Sequence, residues 1–354
     1  MPDVLACDAF LNAPGILLDS RSPSEFEAGH IPGAVSFPLF SDEERSRIGT
    51  CYKQISKEAA IELGLELVAP KLVEFVQSAK QLAPTRQVRL HCWRGGMRSS
   101  SMAWLLETAG FDVTLLGGGY KAFRSWVRST LSTPRSILIL GGMTGTGKTK
   151  LLSILRDRGE QVLDLEGLAN HRGSSYGALG LGAQPTNEQF ENDIALQWAT
   201  LNPDRSVWIE AESRRVGLCR VPDEIFAPMM QSPVIQIVRS RQERIDFLIE
   251  VYGSVEPEAL IAATDRISRK LGGQHAKSAI NWIREGNLAP AIDSILNYYD
   301  KTYLYDLHRR NVAIQSIEVT GFSDAAIADQ LIQFAKQLKE KPYATLDRRE
   351  SVKN

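Results

Sequence analysis

Two apolar runs in this chain each break into a glycine-containing loop suited to gripping an anion, and each loop is followed by a helical pattern. The first run, 88–92, ends in Cys92-Trp93-Arg94-Gly95-Gly96-Met97-Arg98-Ser99, with a helix expected over 99–109. The second run, 137–140, leads into Gly142-Met143-Thr144-Gly145-Thr146-Gly147-Lys148-Thr149, with a helix expected over 148–158. Strand, loop and helix in that order commit a chain to parallel α/β sheets, because the crossover helix must return over the sheet face. Such sheets bind ligands in the crevice at the carboxyl ends of their strands, where both loops would lie.

The remaining pattern fits that plan. Short apolar or β-branched runs at 16–19, 35–37, 113–116, 161–165, 207–209 and 234–238 read as strands. Residues 22–28 read as a short helix with Ser22 or Ser24 at its N-cap, and 58–83 as mostly helix. The sequence TLSTPR at 130–135 looks like a linker, and from Ile245 onward the chain reads as helical. The expected organisation is an N-terminal domain over 1–130, a second α/β domain with a helical C-terminal part over 135–340, and a charged tail over 341–354.

At 354 residues the chain has room for two proper cores, and 43% hydrophobic with 23% charged residues is ordinary for a globular protein. A net charge of −1 gives no global attraction to nucleic acid, so any RNA surface has to be local. No apolar run approaches the length of a membrane span. The four cysteines form no CxxC pair, which argues against zinc or a disulfide framework and for a reducing, cytoplasmic setting. A monomer is expected.

Cys92 is the candidate nucleophile. A thiol reacts as thiolate, and a helix N-terminus with nearby guanidinium groups favours that form. Arg94, Gly95, Gly96, Met97 and Arg98 would supply converging N–H groups and positive charge for an oxyanion or a persulfide. In the second loop, Gly142, Gly145, Thr146, Gly147, Lys148 and Thr149 have the spacing of a P-loop: glycines wrap the backbone around phosphates, the lysine pairs with their charge, and Thr149 is the candidate Mg²⁺ ligand. Nucleotide is the default ligand of such a loop. A supporting carboxylate is expected at a strand end, with Asp164 and Glu210 both in position. His171 and Arg172, and Glu212 and Arg214, form polar clusters just after strands, and Arg239 with Arg241 and Arg244 follows another. Trp198, Trp208 and Trp282 are expected in the core.

The stretch Asp19-x-Arg21-x3-Glu25-Phe26-x3-His30-Ile31-Pro32-Gly33-Ala34, with the Cys92 loop and Gly117-Gly118-Gly119-Tyr120, resembles a rhodanese domain over about 1–130. In that family the loop cysteine accepts a chalcogen. The Cys-x5-Arg loop here is one residue longer than in the usual single-domain rhodanese, and also resembles the dual-specificity phosphatases of the cell cycle. Sulfur, selenium and phosphate chemistry are therefore all open on loop length. Fused to a P-loop domain, and with HRGSSYG and EAESRRVG after its strands, the chain resembles the tRNA 2-selenouridine synthase family from about Leu17 to Tyr305. That resemblance implies a transferase acting on tRNA with 2-thiouridine at the wobble position. It implies geranyl diphosphate as prenyl donor, selenophosphate as selenium donor, and no tightly bound cofactor beyond a candidate Mg²⁺. An ATP-dependent tRNA sulfurtransferase and a phosphatase fused to a regulatory NTPase are the competing expectations.

Overall fold

Short β-branched runs alternating with helices produce two separate five-stranded parallel sheets in the computed structural model, which describes residues 2–340. The tail expected at 341–354 lies outside the described residues. Each sheet belongs to its own unit. The first unit comprises residues 1–130 together with 188–196, and the second comprises 131–187 and the chain from 197 onward.

In the first unit the strands are β1 (Asp3–Leu5), β2 (Ile16–Asp19), β3 (Val35–Ser36), β4 (Gln87–His91) and β5 (Asp112–Leu116), in the order β1-β5-β4-β2-β3. The core strand β4 stops at His91, so Cys92 is the first loop residue and not the last of the strand. The helix that follows runs Met97–Thr108, two residues earlier than the pattern suggested. Sequence periodicity also missed β1 and the helix Asp42–Gln54, whose polar face hid its few apolar positions. Ser22 is the N-cap of the helix Pro23–Ala28, closed by a capping box in which Glu25 accepts from the Ser22 N–H at 3.0 Å. Leu18, Leu90, Met102, Ala103 and Leu106 are at the centre of the apolar core between sheet and helices.

A buried ion pair lies directly behind the cysteine loop. Asp19 and Arg21 are both fully buried, and the guanidinium Nη2 donates to Asp19 at 2.6 Å and to the Gly29 carbonyl at 2.7 Å. Its plane stacks on Tyr120, 3.7 Å from the ring centroid. Register places Asp19 opposite His91, whose Nε2 lies 3.7 Å from the carboxylate. Burial pushes the Asp19 carboxyl up, but His91 and Arg21 outweigh that and hold it below the usual range. Burial pushes His91 down to about 4. Residues 188–196 complete this unit: Asn192, fully buried, donates to the His30 carbonyl and the Tyr120 hydroxyl, both at 2.9 Å, and Tyr120 donates to Glu188 at 2.8 Å.

In the second unit the strands are β6 (Ile137–Gly142), β7 (Gln161–Leu163), β8 (Val207–Glu210), β11 (Val234–Val238) and β12 (Ile314–Glu318), in the order β12-β11-β6-β8-β7. A small antiparallel hairpin is made by β9 (Arg215–Val216) and β10 (Cys219–Arg220). The apparent linker at 130–135 begins inside a helix, since Gly119–Leu131 includes its first two residues. The strand expected over 161–165 ends at Leu163 because the Asp164 side chain accepts from the Gly167 N–H at 2.8 Å and caps the short helix Leu165–Leu168. The helical C-terminal part is interrupted by β12, which pairs along β11 and restores a strand where only helix was expected. Trp198 and Trp208 are in the core, and Trp282 packs partly buried against the helical cluster around Ala279 and Ile283.

Arg21→Ala leaves the Asp19 carboxylate buried without its partner, and the first unit is expected to lose about 3–5 kcal/mol, read as a lower urea midpoint. In the unaltered protein both Asp19 and His91 have folded pKa values below their unfolded ones. The stability they contribute is complete above about pH 6.5 and is lost as pH falls toward 4 and below. Urea midpoints should therefore hold from pH 7.5 to about 6.5 and then fall toward pH 4.

Candidate active site

The Cys92 loop is held from behind by the first turn of the helix Gly119–Leu131, which donates to the Cys92 and Trp93 carbonyls. The Cys92 carbonyl accepts from the Tyr120 N–H at 2.8 Å, and the Trp93 carbonyl accepts from the Lys121 N–H at 3.0 Å. The approach is so close that a Cβ on Gly119, which has φ +60°, would sit 2.3 Å from the Cys92 carbonyl oxygen. Only glycine fits there. The sulfur itself is buried, 3.2 Å from the Ser99 hydroxyl, which is in turn 3.1 Å from the Gly96 carbonyl.

Burial raises the Cys92 thiol, but it is outweighed by the Ser99 hydroxyl and by the backbone N–H groups of Ser99, Arg94 and Gly96, so the net pKa is lowered. The thiolate is thus favoured by hydrogen bonds at a helix N-terminus. The expected role of the two arginines changes accordingly. Arg98 is committed to Glu25, with Nη1 2.6 Å from the carboxylate, and its charge is neutralised. Arg94 contributes its N–H, while its side chain is exposed. Met97 is exposed at the first turn. Ser99 closed the sequence motif but was given no role there; a hydroxyl seven residues beyond a cysteine carries no signal until the loop curls back.

In the second unit the glycine loop follows β6 directly. Lys148 Nζ donates to the Gly142 carbonyl at 2.9 Å and lies 3.3 Å from Glu210. Thr149 Oγ1 is 2.9 Å from Glu166 and 3.2 Å from Glu210. Thr146 is buried and ties its own hydroxyl to the Met143 carbonyl at 2.8 Å. Glu166, Glu210 and Glu212 bring one carboxylate oxygen each within 4.8 Å of one another. Of the two carboxylates open from the sequence, Glu210 is the one at Thr149. Asp164 instead caps a helix and lies 3.9 Å from Arg156, and Glu166, two residues further on, takes the second place. The short helix Leu165–Leu168, invisible to periodicity, is what turns Glu166 inward.

Three acids facing one lysine perturb each other. Burial lowers Lys148, but Glu210, Glu166 and Glu212 outweigh it, and the ammonium is stabilised. Burial, and then the charge of Glu210, raise both Glu166 and Glu212 into the protonated form at neutral pH. Gly173, at φ +63°, closes over them: a Cβ there would sit 2.4 Å from Glu166 and 2.9 Å from Glu212. His171 and Arg172 shape this same loop. Arg172 donates to the Leu179 carbonyl at 2.7 Å, and His171, lowered by burial and then by Arg172, packs against Gly177 and Gly217. The next residue, Ser174, joins Thr144 of the glycine loop in lining a narrow apolar cleft of about 50 Å³ with Tyr176, Leu248, Tyr252, Ile295 and Tyr299.

The arginines after β11 divide. Arg244 is buried and braces the glycine loop, donating to the Thr144 carbonyl at 2.8 Å while paired with Asp300. Arg241 is taken up by Asp293 and Asp300. Arg239 pairs with Asp324 at 3.1 Å, yet its Nη1 would lie 3.9 Å from a Cβ on Gly147, so it stays beside the loop. Arg214 is paired with Asp223 and half exposed.

The fold and these two loops define a rhodanese-like unit followed by a P-loop unit with an acidic cluster at its strand ends. Profiles agree: residues 6–125 match the rhodanese-like domain, and 135–337 match the tRNA 2-selenouridine synthase AAA domain. Curated relatives extend over nearly the full length. A tRNA 2-selenouridine synthase of Pseudomonas fluorescens is 38% identical over 347 residues, covering 87% of this chain and 92% of that protein. One of Bordetella petrii is 37% identical, covering 84% and 82%, and one of Aeromonas salmonicida 35%, covering 84% and 89%. The chain belongs to the tRNA 2-selenouridine synthase family. Among the described residues no helix is long and apolar enough to cross a membrane.

Ser99→Ala removes a donor to the sulfur while leaving it buried. The pH midpoint for alkylation of Cys92 by iodoacetamide, low in the unaltered protein, is expected to move upward in this variant. An unchanged midpoint would mean that the backbone N–H groups alone set it.

Proposed function

We propose that this protein modifies tRNA carrying 2-thiouridine at the wobble position in two stages, first attaching a geranyl group to the sulfur from geranyl diphosphate and then replacing S-geranyl with selenium from selenophosphate to give 2-selenouridine. Family membership and the names of the relatives support the tRNA substrate. The observation that carries the prenyl half is the position of Thr144: one residue belongs both to the glycine loop and to the wall of an apolar cleft. A loop that grips diphosphate beside an apolar cleft suits a prenyl diphosphate better than a nucleotide. At about 50 Å³ the cleft would have to widen to admit a ten-carbon chain.

In the first stage the 2-thiouridine sulfur attacks the carbon bonded to diphosphate, the new C–S bond forms as the C–O bond breaks, and diphosphate leaves with the electron pair. Lys148 and the loop N–H groups take up the charge that develops on the departing oxygen. Thr149, Glu210 and Glu166 offer the hard oxygen donors that Mg²⁺ prefers and would hold it, adding positive charge against the diphosphate. Alkylation makes the sulfur a thiol-type leaving group. In the second stage the selenium of selenophosphate forms a C–Se bond at C2 as the C–S bond breaks and geranylthiol leaves, and water cleaves the P–Se bond to release phosphate; the loop from Arg94 to Ser99 would grip that phosphate, with Cys92 beside it to receive or deliver the selenium.

Mass spectrometry of nucleosides tests both stages. Incubation of thiolated tRNA with geranyl diphosphate should give S-geranyl-2-thiouridine, and adding selenophosphate should give 2-selenouridine. Cys92→Ala should keep geranylation and lose selenium incorporation. Lys148→Ala should lose at least a hundredfold in geranylation rate. No change in the nucleoside with active donors would refute the reading, and pyrophosphate release from ATP would then favour ATP-dependent thiolation. Loss of both stages in Cys92→Ala would refute the division of labour.

A further inference from the structure

A second cavity in the P-loop unit shares Glu212 with the carboxylate cluster and has no part in the chemistry above. It holds about 300 Å³, at the small end of ligand pockets. Its walls come from three distant segments: Glu212 and Arg214 after β8, Phe226 on the helix Asp223–Gln231, and Tyr303, Arg309 and Arg310 at the end of the helix Leu288–Arg309.

The equipment of this pocket is specific. Phe226 is half-buried and offers a ring face, with the Arg214 guanidinium 5.4 Å from its centroid. Arg310 forms part of the floor, its Nη2 donating to the Glu212 carbonyl at 3.4 Å. Arg309 is exposed, 5.6 Å from the Tyr305 ring, and makes no ion pair among the described residues. The Tyr303 hydroxyl is buried at the head of the glycine loop, where a Cβ on Gly141 would lie 2.9 Å away, and it closes no hydrogen bond of good geometry. Burial raises it and outweighs the Lys148 charge and the Gly142 N–H, so it stays protonated.

This combination excludes simpler ligands. An apolar chain has no use for three guanidinium groups, and a free phosphate none for an aromatic face. A duplex cannot enter so small a volume, but one splayed-out base can, and RNA is read in single-stranded loops by stacking and by hydrogen bonds to base edges. A pyrimidine with carbonyl-type acceptors matches the unpartnered Tyr303 hydroxyl, and its phosphodiester matches the outer arginines. We propose that this pocket receives one unstacked pyrimidine nucleotide of the acceptor RNA, its ring against Phe226, its acceptor edge toward Tyr303, and its backbone phosphate at Arg309 and Arg214. The inference rests on the tRNA reading above and adds to it where the acceptor base binds.

The test uses the full chain and two binding titrations: an anticodon stem-loop RNA with 2-thiouridine at the wobble position, and inorganic pyrophosphate. Phe226→Ala and Arg309→Ala alter partly or fully exposed side chains, so pyrophosphate affinity should stay at the wild-type value and report an intact fold. Each should weaken stem-loop binding about tenfold or more. If the wild type binds the stem-loop and both variants bind it equally well, the pocket assignment is wrong and the tRNA reading stands. If the wild type does not bind the stem-loop, the tRNA reading itself fails and the pocket assignment with it. Parallel loss of pyrophosphate binding would also overturn the assignment, because the residues would then be general supports.

Discussion

Three carboxylates gathered around one buried ammonium set the terms for the P-loop unit. Glu166, Glu210 and Glu212 stand within 4.8 Å of one another, with Lys148 against Glu210. In a low-dielectric setting like charges so close cannot all persist, so two of the acids hold protons and the lysine is locked as a cation. Much of the neighbouring structure follows. Gly173 is glycine because the acids leave no space for a side chain, and the loop it closes carries Ser174 to the apolar cleft. Arg244 fixes the glycine loop from the other direction through the Thr144 carbonyl. The result is a glycine loop whose lysine and acids are held in fixed contacts by the surrounding packing.

The rhodanese-like unit solves a related problem with fewer charges. Its thiol is buried, and burial by itself opposes ionisation. The counterweight is a ring of donors, Ser99 and the loop N–H groups, whose positions depend on the Gly119 turn pressed against the Cys92 carbonyl. Behind them the Asp19–Arg21 pair is stacked on Tyr120 and tied to the Gly29 carbonyl. The guanidinium one would expect to find at the sulfur, Arg98, is spent on Glu25, the same residue that completes the capping box at Ser22. A free arginine would attract any anion; a neutralised one leaves selectivity to the shape of the N–H nest.

Much of this was legible in the chain. Both anion loops, their strands and helices, the parallel α/β class and the core tryptophans follow from spacing and apolar periodicity. The edges were harder. The strand β1 is three residues long and largely exposed, so it carries no periodic signal, and β12 alternates half-buried with exposed residues inside a stretch that otherwise reads as helix. At 161–165 an apolar run suggested a longer strand, but the side chain of Asp164 diverts the backbone into a turn. Local hydrogen bonding there overrides hydrophobicity.

The sequence alone determined which candidate groups are present: a thiol just past a strand and a lysine–threonine pair closing a glycine loop, because both depend on residues adjacent in the chain. Only the tertiary structure decided what those groups work with. Ser99 reaches Cys92 by loop curvature, Glu166 reaches Thr149 through a four-residue helix, and Tyr303 and Arg310 arrive beside Glu212 from about ninety residues away. Contacts of that kind are set by packing and by the need to satisfy buried polar groups, and neither leaves a fixed spacing in the sequence.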